Sequence, residues 1–202
     1  MTSSQRFKLT YVLIAVNIAV YVYTSIVGEN FLITNGDVLL DYGQLTLFVL
    51  QGEFWRLFSS MFIHADIAHI VGNMLFLLIF GLRGEEMFSL PEYLSIYFLG
   101  GLTGNLLSLL LLPLETISVG ASGAIFSLFG AAIIYARRSF RQSIIGALIY
   151  AFFLLFLSSA PGVNNFAHIG GLVAGLIIGY VLATRRKPET RYTISYSYST
   201  GL

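Results

Sequence analysis

Long apolar stretches separated by short clusters of charged and turn-forming residues set the rhythm of this chain. Six of them, at about 9–27, 58–82, 91–112, 122–136, 142–159 and 166–184, reach or approach the roughly 20 residues a helix needs to cross a hydrocarbon core. The pattern predicts an all-α membrane protein, a bundle of six transmembrane helices. Pro91 suits the first turn of the third helix, and Pro113 and Pro161 fall where helices should close, because the ring cannot continue the hydrogen-bond ladder. The segment 28–57 differs: it mixes Phe31, Leu32, Leu39, Leu40, Leu45, Leu47, Phe48, Val49 and Leu50 with Glu29, Asp37, Asp41 and Glu53. It is expected to form a long structured loop lying in the membrane interface. No fixed-period repeat and no inverted duplication is visible.

Composition sharpens the class. With 56% hydrophobic and only 10% charged residues among 202, too little polar surface is available for a soluble globule. One membrane domain over 1–187 is expected, followed by a polar tail over 188–202, rich in Ser, Thr and Tyr, to which no function is assigned. A net charge of +1 argues against nucleic acid as a partner, and the lack of cysteine excludes disulfides, thiolate metal sites and a cysteine nucleophile. Arg6 and Lys8 before the first apolar run imitate a secretory signal, but no clean cleavage site follows, so this run is read as a retained helix. Charge then sets orientation. Arg6, Lys8, Arg83, Arg137, Arg138, Arg141, Arg185, Arg186, Lys187 and Arg191 fall on both termini and alternate loops, with Arg56 the exception. The positive-inside tendency places both termini in the cytoplasm of a multi-pass cell-membrane protein. The 28–57, 113–121 and 158–165 connections would then lie outside.

The fourth helix is short. About 22 Å of helix separates Ser122 from Arg137, against a hydrocarbon slab roughly 30 Å thick. If Arg137 marks the inner boundary, Ser122 lies roughly 8 Å beneath the outer one, at the bottom of a dip. Leu114 to Val119 would enter the membrane as non-helical chain, which is tolerated only when wrapped in protein or lining a wet cavity. On the sixth helix, Gly171, Gly175 and Gly179 form a stripe headed by His168, and the fourth offers Gly123, Ser127 and Gly130. Small residues let helices approach closely in lipid. A tight crossing could bring the Ser122 hydroxyl to His168, the geometry a serine nucleophile and a histidine base require. His69 and Asn73, four apart, share a face of the second helix and, with the Ser122 amide, are candidate donors to an oxyanion. His64 completes the three histidines. His64 and His69 lack the spacing and intervening glutamate of a zinc-hydrolase helix, so no metal is expected. Asn17, Asn105 and Ser108 read as helix cross-links, while Asn164 and Asn165 either cap the sixth helix or wet the cavity mouth.

Gly120-Ala121-Ser122-Gly123, Ala167-His168 with Gly170-Gly171 and Gly175, His64 with His69 and Asn73, Trp55-Arg56, and Glu85 together resemble the rhomboid family of intramembrane serine proteases. The resemblance runs from about Trp55 to Gly179. It implies a rhomboid-like six-helix bundle with its fourth helix central. It further implies a Ser122–His168 dyad without an aspartate, an oxyanion hole of Asn73, His69 and the Ser122 amide, and His64 in a supporting part. Trp55-Arg56 and Glu85 would be structural. By resemblance the substrates are spanning segments of other membrane proteins, cut near the outer face without a cofactor. Phe126 stands where some members carry a tyrosine that stacks on the histidine, and Ser127 where a glycine is common. Competing readings are a catalytically silent relative that binds membrane clients, and a small transporter or channel. A histidine acting as base must be unprotonated, so activity is expected to fall on acidification.

Overall fold

The computed structural model describes residues 9–139, 143–159 and 162–185. The cytoplasmic-tail assignment, Pro161 and the charges at 6, 8, 141, 186, 187 and 191 lie outside these residues. Nine helices occur among them: α1 (Leu9–Val27), α2 (Gly36–Tyr42), α3 (Thr46–Leu50), α4 (Arg56–Ser59), α5 (Ile67–Met87), α6 (Leu90–Leu111), α7 (Ser122–Ser139), α8 (Ile144–Ser158) and α9 (Asn165–Arg185). Of these, α1, α5, α6 and α9 are long and apolar enough to cross a membrane, and α8 is a shorter apolar helix. The bundle is helical, as the apolar rhythm predicts, and its six long helices follow the six expected stretches.

The second helix departs from expectation, beginning at Ile67 rather than near 58 and running on to Met87. Asp66 explains the start, since its carboxylate accepts from the His69 amide at 2.7 Å and caps the helix. The apolar residues before it form α4 and a 3-10 turn over Ser60–Phe62 instead. Glu85 can lie inside the helix because it faces α1, accepting from both the backbone N–H and the hydroxyl of Thr10. At the start of α6, Glu92 reaches back to the Ser89 amide at 2.7 Å, with Pro91 in the first turn as expected.

Segment 28–57 is more ordered than an interfacial loop needs to be. Its strand β1 (Gln44–Leu45) pairs antiparallel with β2 (Ile117–Ser118), the chain that leads into α7. Arg56, the exception to the charge pattern, is the post around which this segment is wound and is only 5% exposed. Its guanidinium donates to Glu53 and Leu40 O at 2.6 Å each and to Gly43 O at 2.9 Å, while Trp55 and Phe48 cover its faces. Phe31, Leu32, Ile33, Leu50 and Phe54 remain exposed, which suits a segment lying against lipid.

Helix α7 is the centre of the bundle, with Ala124, Ser127, Leu128 and Ala131 buried among its neighbours. A Cβ built on Gly171, Gly175 or Gly179 would collide with the carbonyl oxygen of Gly123, Ser127 or Ala131 respectively. The two numbering series rise together, so α7 and α9 run parallel with backbones in contact. Ser127, in place of a glycine, fits because its side chain lies over Gly100 of α6 and donates to Ile96 O at 2.8 Å. Gly101 of α6 lies level with Gly123, yet α6 continues to Leu111. Helix α7 therefore begins roughly 15 Å short of the end of α6. Only the last part of the non-helical chain before it is packed into the protein: Ser118 and Ala121 are buried and the Gly120 N–H donates to Ser60 O at 2.9 Å, whereas Pro113 to Glu115 are exposed.

Candidate active site

Because α7 and α9 are held in parallel contact near their starts, the first residue of one and the fourth of the other meet. His168 Nε2 lies 2.9 Å from Ser122 Oγ. Both line a cavity of about 340 Å³ with His69, Gly72, Asn73, Phe76 and Phe126. Its walls are mostly apolar. Phe126, one helical turn after Ser122, stacks on the imidazole with ring centroids 4.5 Å apart and planes at 20°. A phenylalanine thus supplies the stacking surface on this face of the imidazole. The group facing His168 Nδ1 is the Ser158 hydroxyl at 3.4 Å rather than a carboxylate.

His69 and Asn73 share the cavity as their spacing predicts. The Ala65 amide points at His69 Nδ1 at 3.4 Å, a contact that favours the tautomer with its ring proton on Nε2. Gly120 makes room for that end of the ring. Its φ is +121°, and an added Cβ would stand 2.8 Å from His69 Nε2. Both facts require glycine there. Asn73 Nδ2 donates one proton to His69 O at 2.9 Å and keeps a second. The Ser122 amide opens α7 and has no partner within its own helix. His69 and Asn73 thus line the same cavity as Ser122.

His64 does not line the cavity. It is fully buried behind His69, the two rings edge to face at 5.1 Å, and its Nδ1 faces Phe62 O at 3.3 Å. Burial first, and then the neighbouring His69, push the His64 pKa down to about 3. The unfolded chain would bind a proton here near pH 6.5 and the folded chain only near pH 3. Stability present above pH 6.5 should thus be lost progressively as pH falls toward 3. In His64→Gln the thermal midpoint is expected to fall less steeply over that window than in the parent. Equal slopes would remove His64 from the titration.

Asn164 resolves the alternatives posed for the sixth helix. Its Oδ1 accepts from the Ala167 amide at 3.1 Å, capping α9, and its Nδ2 donates to Ser108 and Ser118 at 2.8 and 2.9 Å. Asn165 accepts from Ser159 at 3.0 Å. Asn105 ties α6 to Leu57 O and Ser60. Among the described residues no three His, Asp or Glu side chains converge as metal ligands. Sequence reasoning missed Ser158, a serine at the end of an apolar run with no motif around it.

Comparison with known proteins adds an independent finding. Residues 51–185 match the Rhomboid domain. The chain is 41% identical over 141 residues to RHOMBOID-like protein 6, mitochondrial, of Arabidopsis thaliana, covering 66% of this chain and 46% of that protein. It is 43% identical over 149 residues to RHOMBOID-like protein 2 of the same plant, covering 68% and 45%. To Rhomboid protease GluP of Bacillus subtilis (strain 168) it is 33% identical over 180 residues, covering 86% and 34%. The matched region is less than half the length of each of these three relatives.

Proposed function

The chain belongs to the rhomboid family, and we propose that it is an intramembrane serine endopeptidase that cleaves spanning segments of other membrane proteins near the outer face. The observation that carries this reading is the 2.9 Å approach of Ser122 Oγ to His168 Nε2 inside an apolar cavity. In this reading Ser122 is the nucleophile and His168 the general base. As Oγ attacks the scissile carbonyl, its proton passes to Nε2, and the carbonyl oxygen becomes an oxyanion. His69 Nε2–H, the free Asn73 N–H and the Ser122 amide donate to that oxyanion. Collapse breaks the C–N bond, the imidazolium protonates the leaving amine, and water then hydrolyses the acyl-serine by the same base. The chemistry calls for no cofactor. His64 supports the arrangement by packing against His69.

Topology supports where the cut falls. Arg137 and Arg138 end α7 and Arg185 ends α9, so the positive-inside tendency sets these ends and both termini toward the cytoplasm of the cell membrane. The cavity then opens on the other side, sunken below the end of α6. The bilayer and the spanning segments of substrates are the partners. The membrane domain extends over 1–187, with 188–202 as a cytoplasmic tail. A helical substrate must unwind to present a peptide bond, because its own hydrogen bonds shield it.

The test is labelling of the full chain in liposomes with a fluorophosphonate. The adduct is expected on Ser122, mapped by peptide mass, and absent from Ser122→Ala. A folded parent that takes no label would overturn the proposal.

A further inference from the structure

Two tautomers of a neutral His168 are chemically possible, and only one can serve as base toward Ser122. Nε2 must carry a lone pair, which puts the ring proton on Nδ1. Nothing on α9 itself selects that form. The Nδ1 edge faces α8, where the Ser158 hydroxyl stands at 3.4 Å. That hydroxyl has a shorter contact, donating to Leu155 O at 2.9 Å in its own helix. Ser159 also reaches Leu155 O, at 2.8 Å, but Asn165 Oδ1 at 3.0 Å is a second acceptor for its single proton. A carbonyl oxygen has two lone pairs and can serve both serines in any case.

With its proton turned toward Leu155 O, Ser158 presents only lone pairs to the imidazole. An Nδ1–H can donate into them. A bare Nδ1 would set lone pair against lone pair in a buried place, where an unmet acceptor is costly. The same contact still holds after Ser122 has given up its proton, since the imidazolium keeps its Nδ1–H. Phe126 fixes the plane of the ring from one side, but an aromatic face does not distinguish one nitrogen from the other.

We propose that Ser158 is a positioning residue, its hydroxyl holding His168 as the Nδ1–H tautomer and leaving Nε2 bare for the Ser122 proton. The inference rests on the Ser122–His168 reading and deepens it by assigning to a serine the part a carboxylate takes in a triad.

Nitrogen-15 spectra of the full chain in liposomes, labelled at histidine, distinguish the two tautomers, and His168→Gln identifies the signal. The parent is expected to show His168 as Nδ1–H, Ser158→Ala a shift toward Nε2–H, and Ser158→Thr the parent form. The maximal rate of fluorophosphonate labelling at Ser122 should fall about tenfold in Ser158→Ala, by analogy with the lower end of the loss when a partner orienting a metal-bound imidazole is removed. The probe concentration at half-maximal rate should not change, and Ser158→Thr should restore the rate. An Nε2–H tautomer in the parent overturns the proposal whatever the variants do, as does a Ser158→Ala protein with unchanged tautomer and rate. Failure of the underlying dyad reading would show separately, as labelling that persists in Ser122→Ala.

Discussion

Ser122→Ala is expected to lower cleavage of a spanning-helix reporter in liposomes by about 10⁴- to 10⁶-fold, with His168→Ala close behind and the double variant no worse than either alone. The reason is the shared proton. Nε2 lies 2.9 Å from Oγ, and in the proposed mechanism the hydroxyl is activated only through the imidazole, which has no other proton to take in the attack. Groups that act as one unit do not contribute separately, so removing the second after the first costs little. Gel quantification of the reporter fragments measures all three proteins under one condition. Losses that multiply, or turnover that survives Ser122→Ala, would point to another nucleophile.

The second large effect is structural. In Gly175→Val a side chain is forced into the Ser127 carbonyl, where backbone meets backbone and no flexible group can give way. Helices α7 and α9 must then part, and the cost should reach about 3 kcal/mol or more. The thermal midpoint of the variant is expected to drop sharply, and fluorophosphonate labelling to fall with it as Ser122 and His168 separate. Gly36→Ala is the control, since a Cβ there meets nothing within 4 Å and stability should hardly change. Unfolding of Gly175→Val at the parent's midpoint would show that the two backbones are not in contact.

How much of this was legible in the sequence depends on the range of the signal. Helix count followed from apolar runs, because lipid imposes length and polarity on every residue that faces it. The meeting of Ser122 and His168 was legible because glycine spacing on α9 encodes which face can approach another backbone. The start of α5 differs from expectation since Phe58, Met61, Phe62 and Ile63 prolong an apolar run that the Asp66 cap interrupts. A two-residue ribbon such as Gln44–Leu45 with Ile117–Ser118 has no period to detect, and its partner strands are far apart in the chain. Arg56 was visible as an anomaly of charge but not as a buried post, because three of its acceptors, Leu40 O, Gly43 O and Glu53, are fixed only once the loop closes. Ser158 had no local sign at all. Its meaning comes from the rotamer that turns its proton to Leu155 O, a feature of three dimensions alone.

The parallel pairing of α7 with α9 has an electrostatic result of its own. Both helices start at the same end of the bundle, so two macrodipoles direct their positive poles toward the one hollow, each equivalent to about half an elementary charge. Any negative oxygen formed there is met by a field that belongs to the main chain. Side-chain substitutions cannot delete that field, and only prising the two helices apart would weaken it.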